Sequence, residues 1–302
     1  MENNIDNQPM ESSASAPKKI GKIRGGYLVV VESFRMLGKN RSIMIFPLLS
    51  MIFELMLVAV FWAGYFYLYG FEENAFEKVD RTTMYSSLFA FYIIGFFIAS
   101  FFQAGLVAVV SGQINGRKLS FNEGMSVAAA HTGKIFSWSI VAATVGVVLQ
   151  MIADKNKTIG RLVANIFGLA WDIITFFIVP VLILENETIG GSLKRSGAIF
   201  KNKWGQTLTA NFSTALFFGV LVILAIIVFF VPIVIFRPGV WFSILSLVLL
   251  AVSIILITVL SSTIEGIYRV ILYEYAAHDR LPESFTKELV VGAIKTDRQS
   301  PQ

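Results

Sequence analysis

The sequence predicts an all-α fold, a polytopic membrane bundle of six transmembrane helices accompanied by cytoplasmic interfacial amphipathic helices. Composition is the first ground: of 302 residues, 55% are hydrophobic and only 15% charged, where a soluble domain carries about 25% charge. Distribution is the second. The mean hydropathy of +0.69 comes from six long apolar stretches, each continuous over about 20 residues, the length at which a helix crosses roughly 30 Å of hydrocarbon. The third is that these stretches lack the alternation that a transmembrane barrel strand shows over about 10 residues. The same figures disfavour a secreted, disordered or nucleic-acid-binding protein. The net charge of +5 reads as a topology signal instead. With no Cys and only His131 and His278 as histidines, disulfides, thiolate zinc sites, Cys nucleophiles and His-rich metal centres are not expected.

Residues 1–24 are rich in Asn, Ser, Pro and Lys with little apolar to bury, and read as a disordered N-terminal tail. The run Tyr27–Val31 is too short for a signal-peptide core and is followed by Glu32, so no cleavage is expected. From Gly25 to Asn40, Tyr27, Val30, Val31, Phe34 and Leu37 set against Glu32, Arg35 and Lys39 suit an amphipathic helix at the membrane surface. Six spans follow at about Ile43–Tyr69, Met84–Ser111, Ile135–Ala153, Leu162–Leu184, Asn211–Phe236 and Trp241–Ile264, the last helix continuing toward Tyr275. Residues 25–275 thus form the six-span domain, and 276–302 a short C-terminal cytoplasmic segment.

An even number of spans puts both termini on one side. Assigning that side to the cytoplasm places 19 of the 25 basic residues inside, the others being Lys78, Arg81, Lys155, Lys157, Arg161 and Arg237. The first outer loop is acidic through Glu72, Glu73, Glu77 and Asp80, and the leading 42 residues, with seven basic side chains and no signal peptide, are hard to export. The expectation is a multi-pass protein of the cytoplasmic (inner) membrane with both termini inside. Each pair of spans is preceded by a basic surface segment, Glu32–Arg41, Glu123–Lys134 and Gly191–Lys203, which suggests three parallel units or, equally, the ordinary basic character of inner loops.

Polar residues within the spans are the sharpest local signal. Glu54 lies eleven residues into the first span and Asp172 ten into the fourth, both near the midplane of a straight helix, and no Lys or Arg sits at that depth in any span. An uncompensated carboxylate there is protonated or faces water. One reading makes Glu54 and Asp172 carriers in a proton or cation pathway. The other has each acid make a single interhelical hydrogen bond to Ser50, Thr144, Thr175 or a backbone carbonyl. Glu265 and Arg269, four apart on the sixth helix, form an ion pair near the inner interface. Gln103 and Gln150 are expected to bond between helices. Small residues four apart, such as Gly95 and Ala99 or Ala104, Ala108 and Gly112, allow close helix approach or serve a homodimer face.

Pro180 cannot donate to the carbonyl four residues earlier, so it should loosen the inner end of the fourth span, and Glu185 marks the exit into water. Beyond it Ile189, Leu193 and Phe200 share one helix face while Lys194, Arg195 and Lys201 project from the other. With Lys203, these cations form a candidate site for anionic lipid headgroups or for a membrane protein partner.

These inner-loop residues also carry a resemblance. Pro180-Val181-Leu182, Glu185, Ser192-Leu193-Lys194-Arg195-Ser196 and Lys203-Trp204-Gly205 form its centre, with Trp138 and Thr144-Val145-Gly146 upstream. Downstream are Ile267-Tyr268-Arg269, Leu272-Tyr273, Tyr275-Ala276, Pro282 and Phe285. Together they resemble a domain-of-unknown-function family of prokaryotic six-span membrane proteins. More loosely they are similar to the membrane domains that accompany some glycerophosphodiester phosphodiesterases. The resemblance implies a fold and a membrane location, and the looser part suggests an accessory to a lipid-processing enzyme.

The chain contains no Walker loop, dinucleotide fingerprint, His-Glu-x-x-His or nucleophile elbow. No catalytic residue, cofactor or metal site is therefore expected. Three readings stand: a noncatalytic envelope protein that organises lipid or a membrane partner, a small transporter or channel built on Glu54 and Asp172, and the accessory role.

Overall fold

The computed structural model describes residues 31, 33–70, 79–155, 158–204, 211–237 and 239–280, with the backbone alone at 202–204 and 211–216. The sequence-expected tail at 1–24, the side chain of Lys203 and the final 281–302 lie outside the described residues.

Helix starts are set by short polar side chains that accept from orphan backbone N–H groups. Asn40 accepts from Ser42 N at 3.2 Å and opens a 3-10 turn, Arg41–Met44, that runs into α1, Ile45–Tyr69. Asp80 accepts from Thr83 N at 3.0 Å and starts α2, Arg81–Ile114. A reciprocal pair caps the surface helix α3, Phe121–Ala130: Ser120 Oγ accepts from Glu123 N and a Glu123 oxygen accepts from Ser120 N, at 3.3 and 2.7 Å. Donation from Ser120 N, and from Ser120 Oγ at 2.7 Å, holds the Glu123 carboxyl below its ordinary range. Then come α4, Thr132–Lys155; α5, Ile159–Thr175; α6, Ile178–Leu184; the surface helix α7, Ile189–Trp204; α8, Asn211–Phe229; α9, Val231–Phe236; and α10, Val240–His278.

Six of these helical stretches are long and apolar enough to cross a membrane: Arg41–Tyr69, Arg81–Ile114, Thr132–Lys155, Ile159–Leu184, Phe217–Phe236 and Val240–His278. Two spans are broken at a proline. Pro180 separates α5 from α6 around Phe176 and Phe177, and the freed Phe177 N–H is taken up by Ser196 Oγ of α7 at 3.0 Å. Pro232 separates α8 from α9 in the same way. The final helix extends past the expected Tyr275 to His278 and ends at Asp279, in the left-handed region.

A surface helix precedes each pair of spans, over 33–39, in α3 and in α7. Two of them present faces other than the apolar pattern suggests. In the first, Ser33, Met36 and Leu37 are buried while Phe34 stays exposed, because this helix packs on the bundle rather than simply resting its apolar side on lipid. Gln113 Nε2 of α2 donates to Met36 O at 3.3 Å and secures it. In α7 the deepest stripe is Ser192, Ser196 and Ile199, flanked by the half-buried Ile189, Leu193 and Phe200.

Helix α2 is the central element, packing on α1, α3, α4, α6 and α10. Its burial is confined to one end, from Ser100 to Gly112, and apart from Ser246 the buried residues of α10 lie between Val259 and Glu274. The packed core thus lies at the end of the bundle that carries the span ends Arg41, Ile114, Thr132, Leu184 and His278. The opposite halves of α1, α8 and α10 keep their apolar side chains outward, which lipid tolerates because its tails are as apolar as Leu. Phe46 is fully buried against Gly105 of α2 and Gly124 of α3, two positions where a Cβ would collide with its ring. The Trp138 and Trp171 rings stack at 5.8 Å between α4 and α5.

Candidate functional site

A crevice of about 280 Å³ opens between α1, α2 and α10. Its walls are apolar where Phe46, Phe102 and Leu106 line it, and polar where Ser50 and Glu54 of α1, Gln103 of α2, and Thr258, Ser262, Glu265 and Arg269 of α10 face it. Ser50 Oγ donates to Glu54 Oε1 at 2.8 Å. Arg269 Nη2 donates to Glu265 Oε1 at 2.7 Å. Both bonds run along their own helix, one turn toward its N-terminus, as the tilt of helical side chains favours. Arg269 also lies over the Phe176 ring at 5.0 Å, in cation–π geometry. Its Nε is buried and makes no hydrogen bond among the described residues.

Sequence reasoning treats Glu54 as an isolated midplane acid and the Glu265–Arg269 pair as a separate interfacial feature. The fold joins them in one crevice, and so brings a guanidinium into the neighbourhood of Glu54. Asp172 is exposed and does not line the crevice, although Arg269 is near enough to act on it electrostatically. The two acids therefore do not share the crevice; Arg269 lines it with Glu54 and also acts on Asp172. Glu54 bonds within its own helix, and so do Thr144 and Thr175, which donate to Ile140 O and Trp171 O. Gln150 likewise bonds to Asp154 of the same helix, and Gln103 makes no hydrogen bond among the described residues.

A second polar cluster ties the packed end together. Glu185 accepts from Arg195 Nε at 3.0 Å and from Tyr273 Oη at 2.9 Å, joining the end of α6 to α7 and α10. Arg195 is thereby committed to Glu185, while Lys194 and Lys201 remain exposed without an ion-pair partner among the described residues. Glu274, 2% exposed, accepts from Ser111 Oγ of α2 at 2.5 Å, and His278 Nδ1 stands 3.2 Å from its other oxygen. Arg280 Nη1 donates to Asn115 Oδ1 at 2.7 Å beside them. Sequence reasoning passes over Glu274, Thr258 and Ser262. For Glu274 a signal does exist, an acid directly after Val270-Ile271-Leu272-Tyr273, but its partner Ser111 is 163 residues away. Among the described residues no three His, Asp or Glu side chains gather as metal ligands.

Residues 82–282 match a family of unknown function, DUF6159. The chain belongs to the DUF6159 family. The match runs from the start of α2 past the end of α10, so it takes in two of the three crevice walls and the polar cluster of the packed end; α1 with Glu54 lies before it. The DUF6159 description carries no activity, and it makes no connection with glycerophosphodiester phosphodiesterases. No curated protein and no solved structure matches the chain.

Proposed function

We propose that this multi-pass membrane protein is a noncatalytic organiser of lipid in the cytoplasmic membrane, with both termini and the packed end of the bundle on the cytoplasmic side, and that α7 holds anionic headgroups. The observation that carries the reading is the division of α7 into two faces. Ser192, Ser196 and Ile199 are buried, and Ser196 and Arg195 are bonded to Phe177 N and Glu185. Lys194 and Lys201 are left exposed without ion-pair or hydrogen-bond partners among the described residues. A helix so clamped presents its cations at fixed positions, and each cation near an anionic surface contributes roughly 1 kcal/mol.

The test is lipid analysis of the full chain purified in mild detergent from membranes containing phosphatidylglycerol. Replacing Lys194 and Lys201 together with Gln removes about 2 kcal/mol, close to a 30-fold loss of affinity for the anionic lipid. Arg195→Gln acts through Glu185 and lowers stability more than lipid retention. Unchanged phosphatidylglycerol in the double variant would remove the proposal. A proton or cation pathway through Glu54 and Asp172 draws support from the crevice at Glu54 alone, since Asp172 lies off it. Proton flux in vesicles that is unaltered by Glu54→Gln with Asp172→Asn counts against that second reading.

A further inference from the structure

The crevice between the first, second and sixth spans contains more polar capacity than its own side chains use. Gln103, Thr258 and Ser262 line it without hydrogen bonds among the described residues, and the buried Nε of Arg269 is an unmatched donor. In a bilayer such groups are costly unless something bonds to them. The space of about 280 Å³ is just under the size at which small-ligand sites begin, enough for a headgroup but not for a whole lipid.

Its charges have a definite order. Spans one and six run in opposite directions, and Glu54 and Arg269 each lean toward the N-terminal end of their own helix, onto Ser50 and Glu265. Helix register is given by Phe46 meeting Gly105 and Leu106 meeting Gly266. With this register the two leaning side chains converge across the crevice. They make no ion pair with each other among the described residues, so room for a bridging group remains between them. A simple anion would meet two carboxylates against one guanidinium already engaged by Glu265. A simple cation would meet the guanidinium. A group with a phosphate at one end and an ammonium at the other satisfies both.

We infer that this crevice holds the phosphate-and-ammonium headgroup of a zwitterionic phospholipid, the phosphate toward Arg269, Ser262 and Thr258 and the ammonium toward Glu54. Its acyl chains lie along the outward apolar face of α1, where Phe53 and Met56 are exposed. A bilayer lipid, rather than a dissolved phosphate ester, is the source because the crevice is walled by three helices long and apolar enough to cross a membrane, with Arg269 toward the inner interface where headgroups lie and the apolar side chains of α1 beside it. The inference does not rest on the α7 proposal, which concerns other residues and the opposite class of headgroup.

The experiment uses the full chain in nanodiscs of equal parts phosphatidylethanolamine and phosphatidylglycerol with identical acyl chains, followed by native mass spectrometry of the retained lipid. The wild-type chain is expected to keep one phosphatidylethanolamine about tenfold in preference, the effect of one charge-assisted hydrogen bond. Glu54→Gln keeps the side-chain shape and the Ser50 bond, and is expected to bring the two lipids to parity. Arg269→Gln weakens retention of both. Lys194→Gln with Lys201→Gln leaves the ethanolamine preference intact, which separates failure of this site from failure of α7. Equal or greater retention of phosphatidylglycerol at this site by the wild-type chain overturns the inference, as does an ethanolamine preference that survives Glu54→Gln. Free O-phosphoethanolamine that binds the lipid-free chain as tightly as the lipid does would overturn the lipid assignment.

Discussion

Substituting Gly124 by Ala places a Cβ 2.7 Å from Phe46 Cζ and from Val109 Cγ2, and 2.9 Å from the Gly105 carbonyl oxygen. Ordinary contact between carbons requires about 3.5 Å, so ring and methyl must each retreat by roughly 0.8 Å. The ring has nowhere to go, since Gly105 backs it so closely that a Cβ there would overlap it as well. Overpacking of this kind costs about 1–3 kcal/mol, partly offset by the roughly 1 kcal/mol that Ala gains over Gly within a helix. A net loss of up to about 2 kcal/mol results, which lowers the melting midpoint by up to several degrees at the roughly 2–4 °C per kcal/mol of larger domains. The control is Gly133, also helical, where a Cβ would meet nothing within 4 Å. Gly133→Ala restricts only the unfolded chain and should raise the midpoint by a degree or two. Tryptophan fluorescence melts of the two variants and the parent chain, in one detergent at one scan rate, decide the matter. A Gly124→Ala midpoint above that of the parent, or equal to that of Gly133→Ala, would refute the close packing of α1, α2 and α3 around Phe46.

Ser196→Ala strips the partner from the buried Phe177 N–H at the break in the fourth span; the expected cost is about 1–3 kcal/mol, seen as a lower melting midpoint and faster amide exchange at Phe177. Tyr273→Phe removes one of the two donors to Glu185 and should cost about 1 kcal/mol, whereas Glu185→Gln disturbs the Arg195 and Tyr273 bonds together and should cost more. The order of the two midpoints checks this. For Glu123 the sign follows from its lowered folded-state pKa. The stabilisation of α3 is complete above the unfolded carboxylate value of about 4.3 and disappears as pH falls through the lower folded value. Hydrogen exchange at the start of α3 should therefore quicken on acidification in the parent chain and lose that pH dependence in Glu123→Gln.

Much of the architecture is legible from local chemistry. Asn40, Asp80 and the Ser120–Glu123 pair mark helix starts with their own side chains, and Pro180 marks the break in the fourth span. These signals act within four residues, so a linear reading reaches them. The crevice is less legible. Glu54, Glu265 and Arg269 each stand out as charges in apolar surroundings, but nothing in the sequence joins residues more than two hundred positions apart. Gln103, Thr258 and Ser262 are unremarkable beside them, since hydroxyls and amides in spans commonly bond within their own helix, as Thr144, Thr175 and Thr263 do. Arg195 reads as a free surface cation until Glu185 is found beside it.

The sequence alone determined that the chain folds as helices and that six stretches of them are long and apolar enough to cross a membrane, because hydrocarbon forces each segment to satisfy its backbone internally and an apolar run of sufficient length records that demand locally. Which side of each span turns inward was left to the tertiary structure. The spans are apolar nearly all the way round, so hydrophobic periodicity does not orient them, and lipid offers no hydrophobic drive to bring one face to the centre. Orientation came from steric fit instead: Phe46 seats against Gly105 and Gly124, Gly266 admits Leu106, and Ser196 reaches the open N–H of Phe177. Those few close contacts set the rotation of α1, α2 and α10, and that rotation places Glu54 and Arg269 on the same crevice.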